Sequence, residues 1–124
     1  MSEIAFHETI PTLRMFSVEK TIEFYVGFLG FSVDFEHRFG ENFPLFMQVS
    51  RAGLKLCLSE HHGDGSPGVH VTVRMTGLDA FHAEITAKDY RYMKPGIQHT
   101  PWNTRDMGVI DPVGNHITFS EAKA

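Results

Sequence analysis

The sequence predicts an α+β fold made of two βαβββ modules whose strands form curved mixed sheets. Three observations carry that reading: an internal repeat, alternating apolar and polar runs, and helix-start signals at matching places in each half. Displaced by 60 positions, Thr12-Leu13-Arg14-Met15 falls on Thr72-Val73-Arg74-Met75, and Val18-Glu19 falls on Leu78-Asp79. Displaced by 61, Gly53-Leu54-Lys55-Leu56-Cys57-Leu58-Ser59-Glu60 falls on Gly114-Asn115-His116-Ile117-Thr118-Phe119-Ser120-Glu121. Two blocks in the same order at nearly one displacement mark a duplication, and the extra residue is a difference in loop length. The turn formers around His62-Gly63-Asp64-Gly65-Ser66-Pro67 make residues 62–67 a linker between modules 8–61 and 68–121, inside one domain spanning residues 1–124.

Each module reads as strand, helix and three strands. Residues 10–15 alternate, and Ser17 then offers an N-cap to a helix whose Val18, Ile22, Tyr25 and Leu29 recur on one face. Gly30 ends that helix. Phe31, Val33, Phe35, His37 and Phe39 alternate with Ser32, Asp34, Glu36 and Arg38 as in a long strand, and strands at 45–49 and 54–59 follow through the turn Arg51-Ala52-Gly53. In the second module residues 69–75 form the first strand. Thr76 with Asp79 has the form of a capping box, before a helix with Leu78, Phe81, His82 and Ile85 on its inner face. Strands are expected at 90–93, 107–110 and 115–119, the last two joined by the turn Asp111-Pro112-Val113-Gly114.

Composition narrows the function. The chain is 42% hydrophobic and 21% charged, enough apolar material for a packed core, and its net charge is −4. That balance argues against a general nucleic-acid or anionic-membrane binder, which needs a basic face. The lone Cys57 excludes an intrachain disulfide and suits a reducing cytoplasm. The mixed polar start with Glu3 and Glu8 does not resemble a signal peptide, and no apolar run is long enough to span a bilayer.

Strand alternation then separates two sheet faces, and the repeat tests the split because both copies must agree. Leu13, Met15, Leu56 and Leu58, matched by Val73, Met75, Ile117 and Phe119, form the face that packs under helices. Arg14, Lys55, Cys57 and Ser59, matched by Arg74, His116, Thr118 and Ser120 and joined by His70 and Thr72, form a polar face that meets water or lines a wet cavity. Arg14 and Arg74 there meet either something anionic or an internal acid such as Glu60 or Glu121. His70 is a ligand remnant, a hydrogen-bonding group for a guest, or a partly buried histidine. His61, His62 and Asp64 lie on a turn and read as solvated. Cys57 has no histidine or second cysteine beside it, which suits a small buried hydrophobe better than a nucleophile. No nucleophile elbow, catalytic triad or glycine-rich phosphate loop is present, so no catalytic residue is assigned.

The two modules, the Leu-Arg opening strand, Ile22-Glu23-Phe24-Tyr25, Leu29-Gly30-Phe31 and the closing Asp111-Pro112-Val113-Gly114-Asn115 resemble the vicinal oxygen chelate superfamily. Within it, Pro101-Trp102 followed by Arg105, together with Gly77-Leu78-Asp79, is most similar to the bleomycin resistance proteins. The resemblance implies helices on the convex side of the sheets and symmetric homodimers with crevices between subunits. Its enzymes hold a divalent metal through positions that here are Ile10, Cys57, His70 and Thr118. Ile10 offers no donor atom and neutral Thr118 a poor one, so neither a metal nor another cofactor is expected.

The resemblance also implies that Trp102 and Phe39 are aromatic walls stacking on a planar drug, and that Arg14 meets a carboxylate. Trp102 has the alternative of plugging the core between modules. The expected function is therefore metal-free binding and sequestration of bleomycin-like or other planar polar toxins, giving antibiotic resistance. The net charge favours a cationic drug, whereas Arg14, Lys55 and Arg74 on the pocket face oppose one. The alternatives are a metal-dependent lyase, dioxygenase or thiol transferase of the same superfamily, and a non-catalytic dimeric scaffold.

Overall fold

The computed structural model describes residues 3–123. The first module holds β1 (Thr12–Arg14), α1 (Val18–Ile22), β2 (Ser32–Arg38), β3 (Leu45–Arg51) and β4 (Leu54–Ser59). The second holds β5 (His70–Arg74), α2 (Leu78–Ala87), β6 (Ile97–His99), β7 (Thr104–Ile110) and β8 (His116–Ala122). Their four-stranded sheets have matching orders, β1-β4-β3-β2 and β5-β8-β7-β6. In each, the first strand runs parallel to the last and the other pairs are antiparallel, giving the mixed sheets that the duplication implies. No helix among the described residues is long and apolar enough to cross a membrane.

Ser17 caps α1 as expected, its Oγ accepting from the Lys20 amide at 3.1 Å. The helix then widens into a π-helical stretch, Glu23–Phe28, in which the Leu29 amide reaches back five residues to the Phe24 carbonyl. The wider turn rotates extra side chains inward. Phe24 and Phe28 join Tyr25 and Leu29 in the core, where the 4-3-4 spacing placed only the last two. Phe28 also stacks on Tyr90 of the second module with ring centroids 4.4 Å apart.

Three local expectations are corrected. Thr76 is not the cap of α2: Gly77 holds that place in a left-handed conformation, and the Glu121 carboxylate from β8 accepts the Gly77 and Leu78 amides. Asp79 instead binds Arg105 of β7. Residues 90–93 are turn and loop, and the third-from-last strand is the short β6 further on. Along β2 a bulge between Val33 and Phe35 breaks the simple alternation: Val33 pairs with the core residue Val49, whereas Phe35 and His37 lie opposite Gln48 and Phe46.

The apolar faces of both sheets and the inward sides of both helical segments form one buried cluster, which includes Leu13, Met47, Leu58, Leu78, Met107 and Phe119. Polar clamps join the modules around it. Tyr25 donates to buried Asp111 at 2.7 Å, and Asn115 donates through Nδ2 to the Arg14 carbonyl at 3.0 Å. On the other side Arg51 grips Glu84 with two bonds of 2.6 and 2.7 Å and donates to the Leu29 carbonyl, while Lys88 caps the Phe28 carbonyl.

These pairs set an acid limit to stability. The Arg51 guanidinium holds the Glu84 carboxyl below its ordinary pKa, and Arg105 does the same to Asp79. A carboxyl with a depressed folded pKa adds stability that is present above its unfolded pKa and lost as the pH falls through the folded one. The melting temperature is therefore expected to stay level near neutrality and to fall on acidification below about pH 4. Glu84→Gln should start lower and fall less over that range. Circular dichroism melts of both proteins between neutral and acid pH check this; an equal fall in the two would mean that Glu84 carries no pH-dependent stability.

Candidate functional site

The face of each sheet turned away from the helices is built by strand register. In the first module Thr12, Cys57, Gln48 and Phe35 form one row across β1, β4, β3 and β2, and Arg14, Ser59, Phe46 and His37 form the next. In the second, His70 and His116 lead to Ile110, Thr72 and Thr118 to Gly108, and Arg74 and Ser120 to Asp106. The polar face read from alternation is thus assembled in both copies, with its charges and hydroxyls in matched rows.

Neither arginine is ion-paired among the described residues. Glu60 accepts from the Leu45 amide and lies 3.7 Å from Arg38. Glu121 caps α2 and binds Arg105. Both acids the sequence offered as internal partners are therefore used elsewhere. Arg14 lies with its guanidinium carbon 4.9 Å from the Phe16 ring centroid, its Nε buried without a hydrogen-bond partner. Arg74 donates to Ser120 Oγ at 3.1 Å. The third cation, Lys55, is met by Glu8 at 3.1 Å.

Phe39 lies just beyond β2, 72% exposed, with its ring edge-on to His37 and His61. Trp102 sits in the turn between β6 and β7, 67% exposed, which rules out a plug between modules. The two rings stand at the outer strands of different sheets, and one chain does not bring them into contact. Cys57 is 8% exposed, and burial pushes its thiol above the ordinary range, away from thiolate chemistry. The solvated reading of the 61–64 turn is corrected in part. His62 is exposed, but Asp64 folds back to accept from buried Ser59 at 2.7 Å, and His61 Nε2 is buried without a partner.

Two features escaped the sequence reading. His116 meets His70 edge to face at 4.4 Å, a contact set by the parallel register of β5 and β8; both were placed on one face, and only the register pairs them. Asp34 accepts from Gln48 and Ser50 at 2.8 Å, and those donors hold its carboxyl below the usual range. The β2 bulge turns it toward them, and nothing in the sequence marks a bulge. Two crevices, of about 630 and 650 Å³, lie between helices and turns of opposite modules.

The donor set does not fit a divalent ion of the kind the superfamily's enzymes hold. Ile10 and Thr118 lack suitable donors, His70 is met by His116, and among the described residues no group of three His, Cys, Asp or Glu is placed to hold one.

Paired βαβββ modules with helices on one side and open polar sheet faces on the other define a glyoxalase-like scaffold. The chain belongs to the glyoxalase superfamily: the model described as "Glyoxalase superfamily protein" matches residues 1–124. Among solved structures it is similar to the bleomycin-binding protein of Streptomyces verticillus complexed with copper(II)-bleomycin, at 27% identity over 98% of this chain and 100% of that one, with a TM-score of 0.70. It is also similar to the bleomycin resistance determinant encoded on the transposon Tn5, at 19% identity, 96% and 100% coverage and a TM-score of 0.74. A glyoxalase-related enzyme from Clostridium phytofermentans is 20% identical, with 96% and 97% coverage and a TM-score of 0.72. No curated protein matches the chain.

Proposed function

We propose that the protein is a cytoplasmic, metal-free binding protein that sequesters planar polar toxins of the bleomycin type, as a homodimer whose crevices pair open sheet faces of two subunits. The observation that carries this reading is a pair of polar sheet faces with exposed aromatic rings at their outer strands. An exposed indole supplies a flat apolar surface for stacking, and the open rows of hydroxyl, amide and imidazole groups supply hydrogen bonds that orient a guest. Phe39 and Trp102 lie at separate edges of one chain, so a crevice walled by both takes one ring from each subunit. The exposed Ile4, Phe6, Phe35 and Phe43 are apolar surface that such pairing would cover. The Streptomyces verticillus relative, complexed with copper(II)-bleomycin, supports the choice of guest.

Trp102 is the single tryptophan, so its fluorescence reports the site directly. Titration with bleomycin, with and without copper, is expected to quench it at micromolar drug, with sedimentation showing a dimer. Trp102→Ala, followed by calorimetry, should weaken binding about fivefold, the worth of one stacking contact. A folded protein whose emission ignores micromolar drug would end the sequestration reading.

A further inference from the structure

Strand β7 bonds to β8 along one border only. Just outside its ends, the Asn103 carbonyl accepts from the Lys123 amide at 3.1 Å and the Asp111 amide donates to the Asn115 carbonyl at 2.8 Å. Antiparallel alternation then turns the N–H and C=O of Met107 and Val109 toward β8 as well, and those of Gly108 and Ile110 off the opposite border. On that side β6 pairs with β7 only from Arg105 to Met107. The Gly108 carbonyl and the Ile110 amide are therefore left without a hydrogen-bond partner among the described residues. An acceptor and a donor two residues apart face the same way.

Both residues line the crevice of about 630 Å³, together with Phe24 from the π-helical stretch and Tyr90, Tyr92 and Met93 from the segment leading to β6. The volume lies within the roughly 300–1,000 Å³ of small-molecule sites. Its charges are matched. The Asp111 carboxylate is filled by Tyr25, Val113 and Asn115, and Lys94 is paired with Asp89. Lys20 lies 4.0 Å from Glu23 and donates to the Tyr92 hydroxyl at 3.4 Å. A balanced slot with aromatic walls suits a flat, uncharged guest, and the bare strand border selects one whose edge carries a donor beside an acceptor.

We infer that this crevice beside β7 is a second binding site, which takes a neutral planar nitrogen heterocycle with an amine next to a ring nitrogen. The amine donates to the Gly108 carbonyl, the ring nitrogen accepts from the Ile110 amide, and the ring lies against Tyr92. The site draws on the border of the sheet and requires neither Trp102 nor Phe39, so it is separate from the sequestration described above.

The test uses adenine on the intact protein, with purine, which lacks the amine, and 6-dimethylaminopurine, whose amine has no hydrogen, followed by calorimetry and amide hydrogen exchange. In the free protein the Ile110 amide is expected to exchange much faster than that of Val109, and adenine should slow it. Adenine should bind saturably and about tenfold more tightly than either control, the worth of one hydrogen bond. Tyr92→Ala should weaken it about fivefold. Ile110→Pro removes the N–H alone, at a border position where proline is tolerated, and should abolish the preference for adenine over purine. Saturating adenine should leave the bleomycin response of Trp102 intact, so the two sites can fail separately. Absence of saturable binding, an Ile110 amide as protected as Val109 before adenine is added, or controls that bind as tightly as adenine would overturn the assignment; the exchange of Ile110 in the unaltered protein decides the matter should Ile110→Pro not fold.

Discussion

Asp111→Ala is expected to destabilise the protein by about 3–5 kcal/mol, because one buried carboxylate holds donors from both modules. Its Oδ2 accepts from the Tyr25 hydroxyl at 2.7 Å and Asn115 Nδ2 at 2.9 Å, and its Oδ1 accepts from the amides of Val113 and Asn115. Asn115 in turn accepts from Gly68 and Val69 at the end of the linker and donates to the Arg14 carbonyl. Alanine would leave the Tyr25 hydroxyl buried with nothing to bind. Burial, with Asp111 beside it, pushes the Tyr25 pKa far upward, so the hydroxyl remains a donor at any pH where the protein folds. Tyr25→Phe should cost only about 1–2 kcal/mol, since Asp111 keeps Asn115. Urea denaturation measures both. A loss below about 1 kcal/mol for Asp111→Ala would mean that the network does not join the modules.

Gly30→Ala is the second large effect, expected at about 2–4 kcal/mol from a left-handed backbone and a steric conflict together. Gly30 has φ +77°, and a Cβ there would sit 2.5 Å from Arg51 Nη1. That nitrogen cannot retreat freely, because it is bound to Glu84 and to the Leu29 carbonyl. Gly53, also left-handed at φ +93°, has open space around its would-be Cβ, so Gly53→Ala should cost only the backbone part, about 1–2 kcal/mol. The conflict is separable by a double-mutant cycle: in an Arg51→Ala background, Gly30→Ala should fall toward the Gly53→Ala value. An unchanged cost would place the whole effect in the backbone.

The strand-helix-strand succession of each module and the two faces were legible because a duplicated pattern shows its alternation twice, as Leu13-Arg14-Met15 and Val73-Arg74-Met75 do. Ser17 announced its cap through a local bond that needs no tertiary partner. Other features depend on distant residues and leave no local mark. The α2 amides are satisfied by Glu121, which lies 44 residues from Gly77. The π-helical widening after Ile22 lets Phe24 and Phe28 reach the core along with Tyr25, a register that 3.6-residue periodicity cannot express. On the candidate site, alternation placed Arg14, Arg74, His70, Thr72 and Thr118 on one side of their strands. Whether the arginines were neutralised depended on where Glu60 and Glu121 were spent, and that is decided by Leu45, Arg38, Arg105 and the start of α2.

The outer strand β2 runs seven residues with every position exposed, and the far side of its backbone has no strand beside it among the described residues. Such a border is an invitation to runaway polymerisation, in which copy after copy lengthens one ribbon. Here the kink after Val33 spoils a straight template, and Asp34, Glu36 and Arg38 set a charge at every second place along it. A sheet with such a border can thus stay discrete without burying its margin.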